Sequence, residues 1–191
     1  MTDDVSSRNE YGHATVKQSR LIRALPLSPE HPGGVIPLED VGCAAVREGV
    51  AYWHRLRGDR NFPSRLQVSP RDITGILRYA LLLRVIDTTA DYEYRIVGDA
   101  HVVAHGFSMQ GKCLSQMDEH APGYGAVLKT IYDPVVRNRT PYALRGWLSR
   151  GDDDPEYIHA ESVFLPLGAN DETVDHILNF SSYTLPHGAM A

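Results

Sequence analysis

Tyr79-Ala80-Leu81-Leu82-Leu83-Arg84-Val85-Ile86-Asp87, then the turn Thr88–Asp91, then Tyr92-Glu93-Tyr94-Arg95-Ile96-Val97-Gly98: this stretch decides the fold. The first run is apolar with β-character. The second alternates, placing Tyr92, Tyr94 and Ile96 on one face and Glu93 and Arg95 on the other. Two such runs joined by a short polar turn read as a β-hairpin with one buried face.

Downstream of the hairpin, Asp99 caps a short helix over Ala100–His105, which Gly106 closes. Gly111-Lys112 marks another turn. Ala121–Asn138 is a longer helix, with Tyr124, Val127, Leu128, Ile131, Tyr132 and Val135 on one side. Pro134 is expected to kink or divide it. Three strands end the chain: Pro141–Arg150, Glu156–Leu167 and Thr173–Tyr183, separated by the acidic turn Gly151–Pro155 and by Gly168–Glu172.

Upstream, Leu38–Arg57 has apolar residues at helical spacing and stops at Gly58. Ser69-Pro70-Arg71-Asp72 opens a second, short helix with Ser69 as its cap. Residues 1–37, rich in Ser, Pro, Gly and charge, read as a flexible arm in which only Leu21–Leu27 offers a docking patch. The division is therefore an arm at 1–37, a helical extension at 38–78, a core at 79–183 and a tail at 184–191. A strand pair and a strand triplet satisfy their edges by joining into one five-stranded antiparallel sheet. Helices on one face cover it, which makes an α+β fold.

A chain of 191 residues buries a core without disulfides or metal. Its formal net charge of −5 does not favour polyanions, so no nucleic-acid partner is expected. Cys43 and Cys113 stand in unrelated segments, as in a reducing compartment. No apolar leader follows the N-terminus and no run is long enough to span a bilayer. A cytoplasmic location without membrane insertion is expected.

The order of elements and several local motifs are similar to a bacterial PAS family of single-domain proteins with an N-terminal W-x-x-LRG helix. The matching residues are Tyr52-Trp53-His54-Arg55-Leu56-Arg57-Gly58, Phe62-Pro63-Ser64-Arg65 and Pro70-Arg71-Asp72-Ile73. They continue with Leu81–Asp87, Tyr94–Gly98, the Gly106…Gly111-Lys112 turn, Leu165-Pro166-Leu167 and Val174-Asp175-His176-Ile177-Leu178. The resemblance covers residues 38–183 and implies a PAS fold. It also implies a sensory or interaction role, homodimerisation, and partners such as a histidine kinase or another regulator. No kinase or cyclase segment is visible here, so output is expected to run through partners in trans. Fold alone does not choose a cargo.

In that fold the long helix faces the sheet. The gap would be lined by Tyr94, Ile96, His105, Met109, Leu114, Tyr124, Leu128, Tyr132, Trp147, Phe164, Asn179 and Ser181. Such a lining suits a small ligand or a filled core. One bulge would exchange the faces on which this assignment rests. The extension would pack through Leu38, Val41, Ala45, Tyr52, Trp53 and Leu56 on the sheet or on a second subunit.

Each metal or cofactor signal lacks a companion. His101 and His105 share a helix face, but Val102 stands where a zinc hydrolase needs Glu. Haem would need only His105 as an axial ligand. Cys113 lies where photosensory PAS domains carry a flavin-reactive cysteine, yet the surrounding Asn, Arg and Phe are missing. His159-x-Glu161 has no Pro-Cys-x-x-Cys to complete a deaminase site. No metal site is expected, and the cofactor is left unassigned, with haem and flavin disfavoured. Arg57, Arg60, Arg65 and Arg71 either bind a phosphate or brace the helix-to-core junction through Asp59 and Asp72. No catalytic constellation emerges. An enzyme of isomerase or dehydratase type would have to use Asp87 or Glu161, and a ligand-free interaction domain is the third reading.

Overall fold

The computed structural model describes residues 23–24, 33–87, 90–119, 123–149 and 157–184. The side chains of 23–24, 119, 147–149 and 157–158 lie outside that description. So do most of the expected arm with its Leu21–Leu27 patch, the acidic turn, Thr88-Thr89 and the tail after 184.

The hairpin forms as read, with β3 at Ala80–Ile86 and β4 at Asp91–Val97. The triplet is β5 at Tyr142–Ser149, β6 at Tyr157–Leu167 and β7 at His176–Thr184. They join in the antiparallel order β5-β6-β7-β3-β4, the expected five-stranded sheet. Two short strands add to its β5 edge. These are β1 at Arg23–Ala24 and β2 at Gly34–Ile36, so part of the expected arm is paired backbone. Covering an open edge in this way removes a row of unpaired amides.

Helix α1 spans Ala44–Arg57 rather than beginning at Leu38. Leu38–Asp40 is a separate 3-10 turn, and the chain is extended at Cys43, the residue that precedes the helix. The cause lies far away in sequence. Glu161 of β6 accepts the Cys43 N–H at 2.7 Å and also bonds the Gly42 amide. A carboxylate at the positive end of a helix fixes where the helix starts. Val46, Gly49, Tyr52 and Trp53 form the buried side of α1. The Trp53 indole N–H donates to Pro166 O at 2.8 Å, fixing α1 to β6. Val41, Tyr52 and Trp53 are at most 2 % exposed within their own chain, which removes them as a surface for a second subunit. Leu38, Ala45 and Leu56 pack half-buried against the same cluster.

The connector from Gly58 to β3 is a series of 3-10 turns. Ser64 and Gln67 close a reciprocal cap around one of them. Ser69 precedes the next without a side-chain cap bond, although Pro70 occupies its first position as expected. Gly98 follows β4, where a Cβ would stand 2.1 Å from Arg78 O, so only glycine fits. It is the N-cap of α2 at Asp99–His105, so Asp99, expected as the cap, stands inside the first turn, where it pairs with Arg78 at 3.6 Å. Helix α3 spans Tyr124–Asn138 and continues through Pro134 as one helix.

The sheet is covered on both faces. The core helices α2 and α3 lie on one, as expected, and the N-terminal extension closes the other. Val163, Leu165, Leu167, Leu178 and Phe180 face α1 and the connector. Leu81, Leu83, Tyr94, Phe164 and Ile177 face α3. Among the described residues no helix is long and apolar enough to cross a membrane.

Candidate functional site

The residues expected to line a gap beneath α3 largely meet there. Tyr94, Met109, Leu114, Tyr124, Tyr132 and Phe164 form one buried cluster with Met117, Val135 and Ile177, and Leu128 packs against it. Tyr94 and Met117 have no accessible surface. A side chain without accessible surface has no water-sized space beside it, so the centre of the gap is filled. The Tyr94 and Tyr132 hydroxyls meet at 3.3 Å. Burial pushes the Tyr132 phenol up to about 12 and holds Tyr94 well above its ordinary value, so both remain neutral.

Asn179 and Ser181 extend this face along β7. Asn179 Nδ2 donates to Val163 O at 2.8 Å, and Ser181 Oγ lies 2.7 Å from Ser162 Oγ. One expected lining residue, Ile96, stands elsewhere. Leu82 pairs with Ile96 but Leu83 pairs with Tyr94, so β4 bulges at Arg95. The extra residue turns Ile96 to the α1 face while Tyr92 and Tyr94 keep the α3 face. Trp147 pairs with His159 in the backbone register of β5 and β6. Its side chain is outside the described residues.

At the α2 end of the gap, apolar packing gives way to a line of polar contacts. Tyr124 of α3 meets His105 Nδ1 at 2.8 Å. His105 Nε2 meets the Tyr183 hydroxyl of β7 at 3.2 Å. That hydroxyl meets His101 Nδ1 at 2.9 Å, and His101 Nε2 meets Tyr79 O at 2.9 Å. The last contact sets every proton. A carbonyl only accepts, so His101 Nε2 donates and, in the neutral ring, Nδ1 accepts. Tyr183 therefore donates to His101 and accepts from His105 Nε2, which leaves His105 Nδ1 to accept from Tyr124. Burial pushes His101 down to about 4, in keeping with a neutral ring. The two imidazoles lie parallel with centroids 6.3 Å apart.

This chain ties α3, α2, β7 and the entry to β3 together. All four imidazole nitrogens are engaged, so neither ring is directed at a metal or a haem. Only His105 and Tyr124 of its members were anticipated as site residues. The His101–His105 spacing was visible, but Tyr183 lies 82 positions from its partner His101.

The PAS domain family model matches residues 42–181. The chain belongs to the PAS domain family. No curated protein and no solved structure matches it. The matched PAS region opens at Gly42, beside the amide that Glu161 holds, and takes in α1 as well as β3 to β6 and most of β7.

The remaining candidates of this PAS domain fall outside the gap. Glu161 faces α1, where Arg145 Nη2 reaches it at 2.8 Å and Asp40 O at 2.9 Å. Burial alone would raise its carboxyl, but the Cys43 amide and Arg145 outweigh that and hold it below the usual carboxylate range. Asp87 is exposed. Cys113 is half-buried at an open groove of about 600 Å³ beside the start of α3. Burial, then Asp91 and Glu93, push its thiol up, which disfavours the reactive thiolate. Two carboxylates of that groove are engaged. Asp91 accepts from Ser115 Oγ at 2.6 Å, and Asp118 caps α3 by accepting the Gly125 N–H at 2.8 Å. Of the four arginines, Arg60 braces the β6–β7 turn through Asp171 at 3.1 Å rather than through Asp59 or Asp72. Arg65 donates to Val68 O, and Arg57 lies over the Trp53 ring.

Proposed function

We propose that this PAS domain is a signalling module that converts a change in helix–sheet packing into changed contacts with protein partners in trans. The polar chain from Tyr124 to Tyr79 O carries the reading. Elsewhere the gap is closed mainly by apolar packing, with separate links from Tyr92 to Asp133 at 2.7 Å and between the Tyr94 and Tyr132 hydroxyls. The polar chain is directional and each of its links has an α2 histidine as one partner, so a displacement of α2 breaks several bonds together. A two-state element of that kind is what an input must bias. The filled centre favours an input at the helical surface over a small ligand between α3 and the sheet, because such a ligand would have to displace Tyr94 and Met117. The placement of Glu161 against α1 favours a non-catalytic role.

Native-state amide hydrogen exchange tests this reading. The amides of α2 and α3 should open at lower free energy than those of β3, β6 and β7, and Tyr183→Phe should lower the helical opening free energy further. Exchange of α2 and α3 only through global unfolding, unchanged in the variant, would sink the proposal.

A further inference from the structure

From the start of α1 to β3 the chain carries Arg47, Arg55, Arg57, Arg60, Arg65, Arg71 and Arg78 against Glu48, Asp59 and Asp72. Residues 44–79 are thus +4, which leaves −9 for the remainder of a chain at −5. Three of these arginines are tied down. Arg47 donates to Gly42 O, Arg60 pairs with Asp171 at 3.1 Å and Arg78 with Asp99 at 3.6 Å. Arg55, Arg57, Arg65 and Arg71 have no carboxylate partner among the described residues. Arg55 and Arg57 lie over Tyr52 and Trp53, at 5.2 and 5.6 Å from the ring centres, which holds their guanidiniums on α1.

Leu66 stands among them. It is 93 % exposed, the most exposed large apolar side chain described. Its turn is not loose. Leu66 N donates to Ser64 Oγ at 3.3 Å and Ser64 N to Gln67 Oε1 at 2.8 Å. Gln67 Nε2 then donates to Leu56 O at 3.1 Å, fixing the turn to the last turn of α1. The turn is held in place, yet the leucine side chain it projects into water, beside guanidiniums without carboxylate partners, buries almost nothing within the fold. It has the form of an anchor, an apolar tip held in place before the partner arrives.

We propose that Leu66, with Arg55, Arg57, Arg65 and Arg71, is a docking surface for an acidic protein segment whose interspersed apolar side chains cover the leucine. Charge complementarity selects the acidic partner, and the preorganised turn supplies the apolar contact. A nucleic acid fits less well. The rest of the chain repels a polyanion, and Tyr52 and Trp53 are 1 % exposed, unavailable for base stacking. This inference deepens the signalling reading and rests on it for the existence of a partner.

The test uses the full chain and three defined probes: a fluorescent peptide in which leucines alternate with glutamates, a short DNA duplex, and phosphatidylserine vesicles. Leu66→Ser and the double variant Arg55→Glu/Arg71→Glu touch only exposed side chains, and an unchanged Tm checks the fold. The wild type should bind the peptide most tightly. Each variant should weaken it about tenfold or more, and added salt should weaken it further. A polyglutamate peptide should bind less than the leucine-containing one. Peptide affinity indifferent to Leu66→Ser, or tighter binding of DNA or vesicles than of the peptide, would overturn the assignment. The amide-exchange result is independent: helical opening without peptide binding rejects this surface and leaves the signalling reading standing.

Discussion

Gly49→Ala opposes two well-characterised effects, and the structure decides between them. Gly49 lies inside α1, where alanine is favoured over glycine by about 1 kcal/mol. A helix considered alone would therefore be stabilised. Yet the alanine Cβ would sit 2.3 Å from Cδ2 of Phe180 and 2.5 Å from its Cγ. Ordinary carbon contacts begin near 3.5 Å, so the overlap is about 1.2 Å. Phe180 has no accessible surface and is packed within the α1-face cluster, so its ring has nowhere to turn. Either α1 withdraws from β7, loosening Trp53 and Val46 with it, or the ring strains its own rotamer. Overpacking of this kind costs about 1–3 kcal/mol. Because α1 is held at one end by Glu161 and in the middle by Trp53, the upper half of that range applies. The net expectation is a loss of about 1–2 kcal/mol, or roughly 2–8 °C in Tm for a chain of this size. Urea unfolding of the wild type and Gly49→Ala measures it, and Gly49→Ala/Phe180→Leu closes a cycle. The double variant should be more stable than the two single changes add up to, because leucine relieves the clash. An unchanged or raised midpoint for Gly49→Ala would show that α1 does not press on Phe180 as described.

Three further perturbations follow from the polar contacts. His101 binds a proton near 6.5 when unfolded but only near 4 when folded, so stability is complete above about 6.5 and falls as pH drops toward 4, by about 3 kcal/mol. Urea midpoints between pH 7 and 5 should decline for the wild type and much less for His101→Gln; equal slopes would refute this. Tyr183→Phe removes the hydroxyl that bridges His101 and His105 and should cost about 1–3 kcal/mol through the buried His101 Nδ1; a loss below about 0.5 kcal/mol would contradict the chain. Glu161→Gln removes the charge shared by Cys43 and Arg145, and should cost about 1–3 kcal/mol while speeding amide exchange at residues 42–47; unchanged exchange there would mean that α1 starts without Glu161.

What the sequence disclosed was local. The hairpin, the long helix and the three final strands follow from periodicities a few residues wide, and all appear within a few residues of their expected bounds. The losses have long-range causes. Leu38–Arg57 has one helical pattern, but Glu161, more than a hundred positions on, claims the Gly42 and Cys43 amides and moves the helix start to Ala44. Ile96 continues the alternation of Tyr92 and Tyr94 on paper. The pairing of Leu82 and Leu83 across a bulge turns it to the other face. Gly34–Ile36 has no alternation to recognise because its strand exists to cover the backbone of β5. The filled gap was legible as residue types, whereas the polar chain was not. Its members come from four segments that only the fold brings together.

Strand β7 joins the two faces of the sheet in the proposed mechanism. Phe180 presses on α1, and three residues later Tyr183 holds both histidines of α2. A slide of β7 small enough to keep its ladders would still alter both, since one contact is sterically tight and the other is directional. The energies limit how such a slide is driven. Breaking one link and leaving a buried group unsatisfied costs about 1–3 kcal/mol, while moving a two-state equilibrium from 1:99 to 99:1 takes about 5.5 kcal/mol. Breaking a single link therefore shifts the balance only in part. A full switch requires the links from Tyr124 to Tyr79 O to part together, and their shared direction makes them a cooperative unit. On that argument the proposed input acts on α2, because each link has His101 or His105 as one partner and a displacement of α2 reaches them all.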